Sequence, residues 1–328
     1  MKRIWLLRLV PTGRFGRWWC ALYLFLFVAA LIWLPDYLKP QDFQIFSWPI
    51  GLFFCVIISY IIPVFHFVSS RTEESLRELI QTLRISDDRA DYLCLAITHK
   101  STRWRTTAVL IGFAFWVLQT WIITGSADFL IGFINNGIGY VLTTIVPLLV
   151  WITTIVVITC LTDNARLFRT LSRDVEVDLF NTTILNPFGR MAVSSTLVVI
   201  GAQASFSIMW LDSSADPWTT IPGLVATTVA MIFMFFPAVW PIHKALKTAK
   251  QAELRHVQQQ IDELRYNSSS DDYAPLAPLL AVRREVASIR EWPFDISMMA
   301  RLSLYLIIVP LTWIGAALIE NLVDLFVS

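Results

Sequence analysis

The polar side chains best placed to do chemistry in this chain lie within long apolar stretches. Thr312, Ala316 and Glu320 recur every fourth residue, and this spacing places them on one stripe of a helix. Pro310 precedes them and removes a backbone donor. A small, polar stripe that ends in a carboxylate fits the lining of a conduit, and it fits a close-packed seam between helices equally well. Both interpretations stay open.

Four amide side chains form a second set of candidates: Gln119, Asn135, Asn136 and Gln203. An amide that faces lipid is costly, so each needs a helix interface or a wet cavity. The plain interpretation is hydrogen bonding between helices, and the sharper one is a pore or a ligand pocket. No apolar run carries an ionisable residue near its middle, which argues against a proton- or sodium-coupled transporter built on a buried carboxylate.

The motifs that carry enzyme chemistry are missing from the sequence. It contains no Gly-rich phosphate loop, no CxxC pair, no HExxH and no GxSxG. We therefore predict a protein that is not an enzyme and that needs no metal and no cofactor. The basic residues are spread over several segments and are nearly matched in number by acidic ones, which leaves a net charge of +1. This gives no reason to expect a nucleic-acid partner.

Seven apolar runs are long enough to be helices that cross a bilayer. They cover residues 18–34, 46–68, 106–124, 139–161, 191–211, 219–242 and 302–322. With 56% hydrophobic and 16% charged residues, the chain has more apolar side chains than a soluble domain of its length would bury. We predict an all-α, polytopic helical membrane protein surrounded by a lipid bilayer.

The lysines and arginines set the predicted orientation. Of the 26, all but Lys39 fall in the segments between alternate runs, at 1–17, 69–105, 162–190 and 242–301. Basic residues accumulate in cytoplasmic loops, so the N-terminus is predicted inside and, after seven crossings, the C-terminus outside. Short outer loops favour a multi-pass protein of a bacterial inner (plasma) membrane.

Two of these inner connections are predicted to form cytosolic helical hairpins. In the longer one, apolar residues repeat at helical spacing on both sides of a polar break, at Leu254, Val257, Ile261, Leu264, Val282, Val286 and Ile289. This pattern is typical of an antiparallel hairpin, or of a coiled-coil bundle with a neighbouring subunit. The first arm continues directly from the sixth run, so we expect movement of that span to reach the hairpin.

The predicted organisation follows from these runs and connections. It comprises a basic amphipathic segment that lies on anionic lipid (1–17), spans one and two (18–68), a cytosolic hairpin (69–105), spans three and four (106–161), a cytosolic loop (162–190), spans five and six (191–242), a second cytosolic hairpin (243–297), and span seven with an outer tail (298–328).

Three functions from different classes fit this layout. The leading hypothesis is a channel-like or pore-forming homo-oligomer that is gated through its cytosolic helices. The alternative is a membrane scaffold or sensor that recruits a cytosolic protein partner. The third is a facilitator for a small neutral solute, with Gln119 and Gln203 as its hydrogen-bonding groups.

Overall fold

The computed structural model describes residues 2–38, 46–83, 85–124, 137–172, 179, 182–211, 217–267, 276–289, 291–292 and scattered positions from 297 to 318. Within these residues the fold is all-α apart from one two-stranded ribbon. The α-helices are α1 (Gly16–Leu38), α2 (Trp48–Thr82), α3 (Asp87–Thr98), α4 (Thr102–Thr124), α5 (Gly137–Leu171), α6 (Asn186–Ser205), α7 (Pro217–Asn267) and α8 (Leu276–Ser288). Short 3-10 helices cover Trp5–Arg8, Thr182–Leu185 and Phe206–Leu211, and the ribbon pairs β1 (Lys2–Arg3) with β2 (His99–Lys100).

Five of the described helical segments are long and apolar enough to cross a membrane. They are Gly16–Leu34, Trp48–Thr82, Thr102–Ile122, Thr144–Leu171 and Asn186–Met209, and they correspond to the first five predicted runs. The sixth run forms the first half of α7, and the seventh lies largely outside the described residues. Five candidate spans are therefore supported, and the count of seven is not confirmed.

Helices α1 and α4 show most directly why the protein needs a lipid environment. Each presents large apolar side chains on its outer surface, including Trp18 and Leu26 on α1 and Leu110 and Trp121 on α4. Continuous apolar surface of this kind is rare on soluble monomers. The apolar helices imply that a bilayer surrounds the bundle.

Helix α2 lies at the centre of the packing. Phe53, Ile57, Ile61 and Phe65 recur every fourth residue and are all buried, so they form a continuous stripe on one side of the helix. Helix α2 packs against α1, α5 and α6, whereas α4 packs mainly against α5. The core is thus built around one long, strongly apolar helix.

All four predicted inner connections contribute residues to one end of the bundle, where the fourth joins through Ile242, Leu246 and Met298. The ribbon pairs Lys2 with Lys100, and the Lys100 ammonium lies 3.5 Å from a carboxylate oxygen of Asp163. At the same end, Arg190 forms an ion pair with Glu78. The side of the membrane on which this end lies stays a prediction.

The N-terminal segment differs from its prediction as a lipid-lying stretch. Ile4 and Leu6 are fully buried and belong to the same core cluster as the side chains of α1 and α2. The amide of Ile4 donates a hydrogen bond to the carbonyl of Thr98 at 3.0 Å. Protein rather than lipid therefore covers this apolar face, while Trp5 stays partly exposed.

Two of the predicted spans continue as helices into the inner connections that follow them. Helix α2 continues past the predicted end of its span to Thr82, and α5 likewise continues to Leu171. The extension of α2 is supported by ion pairs one turn apart, between Arg77 and Glu73 at 2.8 Å. The segment 162–190, predicted as a loop, is therefore helical at both ends, since α6 begins at Asn186.

Candidate functional site

The structure describes only part of the predicted polar set. Asn135, Asn136, Ala316 and Glu320 lie outside the described residues. Thr312 is helical and half-buried, and it has an interaction partner. The stripe of three residues is thus not described as a unit, and its role as conduit or seam stays a hypothesis.

The two glutamines lie on different helix pairs. The side-chain carbonyl of Gln119 on α4 accepts a hydrogen bond from the indole N–H of Trp151 on α5. Gln203 is 8% exposed on α6, which packs against α2 and α7. The contact of Gln119 is the interhelical hydrogen bond of the plainer interpretation.

The most developed polar arrangement is on α7. This helix has 51 residues, and at 1.5 Å per residue it is roughly 75 Å long. Val239, Ile242 and Leu246 bury their side chains in a cluster with Phe168 of α5 and Phe188 of α6. Helix α7 is therefore fixed to the bundle where its apolar first half gives way to its polar second half.

Immediately after this point, α7 is fastened to the segment that follows α8. We call this contact the clamp; it joins His243 and Lys250 of α7 to Ile289, Glu291 and Trp292. The imidazole of His243 stacks on the indole of Trp292, with ring centroids 4.1 Å apart. His243 Nδ1 lies 2.8 Å from the carbonyl oxygen of Glu291. A carbonyl only accepts, so Nδ1 carries the hydrogen in this contact.

Lys250 provides the second half of the clamp. Its ammonium donates a hydrogen bond to the carbonyl of Ile289 at 2.7 Å and lies 3.7 Å from a carboxylate oxygen of Glu291. The side chain is only 13% exposed, and an ammonium withdrawn from water in this way needs such partners. Removing Lys250 would therefore leave the carbonyl of Ile289 and the carboxylate of Glu291 without this cationic partner.

Beyond the clamp, α7 and α8 pack against each other through an apolar interface. Val257 and Ile261 of α7 and Leu276 of α8 are buried, and half-buried side chains surround them at Leu264, Leu279 and Val282. Of the remaining predicted coupling residues, Val286 is fully buried, and Leu254 and Ile289 are half-buried. Both sides of this interface come from the same chain.

Sequence reasoning missed the clamp. The candidates predicted from the sequence do not include His243 or Trp292. The two residues are far apart along the chain, and periodicity reports only local structure. Lys244, Lys247 and Lys250 recur every third residue, and this spacing alone does not tell which of them is half-buried.

Metal chemistry finds no support in the described residues, where no group of His, Cys, Asp and Glu side chains could hold an ion. Comparison with known proteins adds no family, since no protein-family model, no curated protein and no solved structure matches this chain. Function is therefore inferred from the clamp, from the helix that carries it and from the surface beyond it.

Proposed function

We propose that this chain is an integral membrane scaffold or sensor, in which α7 links the membrane-embedded helices to a helical unit that recruits a cytosolic protein partner. One observation carries the proposal: α7 packs in the core cluster around Phe168 with its middle part and against α8 with its second half. Because α7 is continuous through both contacts, a displacement of its first half would change the position or the angle of its second half.

Two prolines give α7 a place to bend. Pro237 and Pro241 lie just before the clamp, and each removes one backbone donor from the helix. The clamp beyond them fixes α8 to α7, so bending at the prolines would move both helices together. This arrangement favours a helix that passes movement from the membrane-embedded bundle to the α7–α8 unit over a helix that only anchors that unit.

The unit beyond the clamp has a surface suited to a protein partner. Tyr266 is 92% exposed, and Leu280 is half exposed next to the exposed Arg283 and Arg284. Exposed aromatic, aliphatic and arginine side chains are those enriched at protein interfaces. The partner that fits is a protein with an apolar patch bordered by carboxylates.

Photo-cross-linking in intact cells tests this proposal. A cross-linking residue is placed at Tyr266 or Arg284, and at the lipid-facing Trp18 as a control. We expect one protein adduct of fixed stoichiometry from the first two positions, none from Trp18, and a several-fold loss when Lys250→Met opens the clamp. Lys247→Met is the matched control, since Lys247 is exposed on the same helix. The absence of clamp-dependent adducts would refute recruitment.

A second candidate is the channel-like homo-oligomer gated through the same helix. The continuity of α7 favours it, because a gate needs a mechanical link between the membrane and the aqueous unit. Thr312, Ala316 and Glu320 would contribute to the conduit. Conductance in planar bilayers is the test, and ion-tight bilayers, unchanged by Glu320→Ala, would count against a pore.

Both proposals share one setting. We place the N-terminus and the α7–α8 unit in the cytoplasm because of the distribution of basic residues, and the protein in a bacterial inner membrane because its predicted outer loops are short. A facilitator for a neutral solute is the third proposal, and it rests on the buried amide of Gln203. Loss of solute binding in Gln203→Leu would favour that function.

A further inference from the structure

A cavity of about 320 Å³ opens where α2, α6 and the segment after α8 meet. Its polar wall carries the guanidinium groups of Arg71, Arg190 and Arg301, which come from three separate segments of the chain. Its apolar wall includes Phe67 and Leu197. The cavity therefore combines three positively charged side chains with an apolar wall.

The charge in this cavity is only partly neutralised. Arg71 pairs with Glu74 at 2.9 Å, and Arg190 pairs with Glu78. Arg301 has no hydrogen-bond or ion-pair partner within the part of the chain that the structure describes. Three guanidiniums thus face a single lining carboxylate, that of Glu74, and Glu78 stands just outside.

Both ion pairs are solvent-exposed, so they hold their arginines weakly. A guanidinium presents a planar fork of donors that matches the oxygens of a phosphate group and can bind them in pairs. An incoming phosphate would contact Arg301 directly. It would contact Arg71 and Arg190 by replacing the carboxylates of Glu74 and Glu78 as their partners. A dianionic or monoanionic phosphate is therefore the ligand that this set of donors fits best.

The apolar wall points to the body of the ligand. Two guanidiniums lie over the ring of Phe67, that of Arg17 at 5.1 Å and that of Arg71 at 5.6 Å from its centroid. Phe67 is near the end of the apolar run of α2, and Arg71 is the first charged residue after it. In a membrane this change of polarity marks the level of the headgroups.

We propose that this cavity binds a phosphate group, with an anionic phospholipid as the source that the apolar wall favours and free phosphate as the other source. The phosphate lies among Arg71, Arg190 and Arg301, and the apolar part of the lipid lies along Phe67 and Leu197. This inference is independent of the proposed recruitment function, because the cavity lies outside the α7–α8 unit.

The test uses the full-length protein purified in a neutral detergent. It is titrated with phosphatidylglycerol, with phosphatidylcholine or with inorganic phosphate, and the readouts are lipid retained by native mass spectrometry and the thermal unfolding midpoint. We expect phosphatidylglycerol to be retained and to raise the midpoint, and phosphatidylcholine to do neither. A midpoint raised by inorganic phosphate as strongly as by the anionic lipid would support the phosphate site and assign its source as soluble.

Three variants make the test specific. Arg301→Gln should weaken retention roughly fivefold, since one basic residue near an anionic surface contributes about that factor. Glu74→Gln should strengthen retention, because it removes the carboxylate that competes for Arg71. Arg284→Gln, on the exposed face of α8, is the matched control and should leave retention unchanged. Equal retention of the neutral and anionic lipids, or equal losses in Arg301→Gln and Arg284→Gln, would overturn the proposal.

Discussion

The imidazole of His243 lies almost flat on the indole of Trp292, with the ring planes inclined by 17°. This contact ties the start of the polar half of α7 to the chain just beyond α8. Together with the hydrogen bond from Lys250 to Ile289, it joins the two helices of the α7–α8 unit at the end nearest the bundle. The clamp therefore lies at one end of the apolar interface between α7 and α8.

Replacing Trp292 with Ala should loosen α8 without disturbing the bundle. A stacked aromatic pair contributes about 1 kcal/mol beyond its buried area, so amide exchange in α8 should accelerate roughly fivefold. Hydrogen–deuterium exchange of the full chain in detergent measures this. Trp121→Ala is the matched control, because Trp121 is exposed on α4 and should leave α8 unchanged. Equal exchange in both variants would show that the stack does not hold the unit.

Gly112 should tolerate no side chain. A Cβ at this position of α4 would lie 2.8 Å from the Cα of Ile152, so the backbones of α4 and α5 would have to separate. We expect Gly112→Val to lower the free energy of unfolding by about 2 kcal/mol, as overpacking commonly does. Thermal unfolding in detergent measures the change.

The control for this substitution is Gly315→Val. No described atom lies within 4 Å of a Cβ built at Gly315, so its effect should be small. If both variants unfold at the temperature of the wild-type protein, the close approach of α4 and α5 is wrong.

Asn164 should make the folded protein less stable than a leucine at the same position would. The residue is 1% exposed on α5, and its side-chain oxygen and nitrogen have no hydrogen-bond partner in the described part of the chain. A buried amide without partners costs about 1 to 3 kcal/mol. Asn164→Leu should therefore raise the unfolding midpoint, whereas Asn164→Asp, which adds a charge, should lower it. A lower midpoint in the leucine variant would mean that the amide is satisfied.

Cys94 should be the most readily labelled cysteine, and its labelling should depend on pH. Cys20, Cys55 and Cys160 are buried, whereas Cys94 on α3 is partly exposed. Burial still raises the pKa of the Cys94 thiol above its usual range. A raised pKa leaves less thiolate at a given pH, so maleimide labelling should be slow at neutral pH and should continue to accelerate above the range of an ordinary thiol.

The same reagent tests the orientation. A membrane-impermeant maleimide should modify Cys94 in inverted vesicles and not in right-side-out vesicles, as mass spectrometry of the intact protein would show. Labelling from the outer side would refute the predicted placement of 69–105 in the cytoplasm.

The five candidate spans could be predicted because the thickness of a bilayer sets the length of each apolar run. The ends of the helices could not. The Ser69-Ser70-Arg71 stretch changes the polarity of α2 but contains no residue that breaks a helix, so α2 continues to Thr82. Polarity marks the membrane boundary, and helix breakers mark the helix boundary.

The clamp and the arginine cavity are beyond prediction for a different reason. Each brings together residues from separate segments, as with Lys250 and Glu291, or Arg190 and Glu78. Local periodicity places Val257 and Ile261 on one face of α7, but it carries no information about which distant side chain lies beside a given lysine.

The ribbon between Lys2 and Lys100 constrains the order in which the protein is assembled. The amide of Ile4 gains its hydrogen-bond acceptor only after Thr98 has been synthesised, so we expect this contact to form after α1 and α2 have inserted. Before that contact forms, we expect the basic, apolar opening stretch to rest on anionic lipid. The interfacial character of its sequence and its buried final position would then belong to two successive stages of assembly.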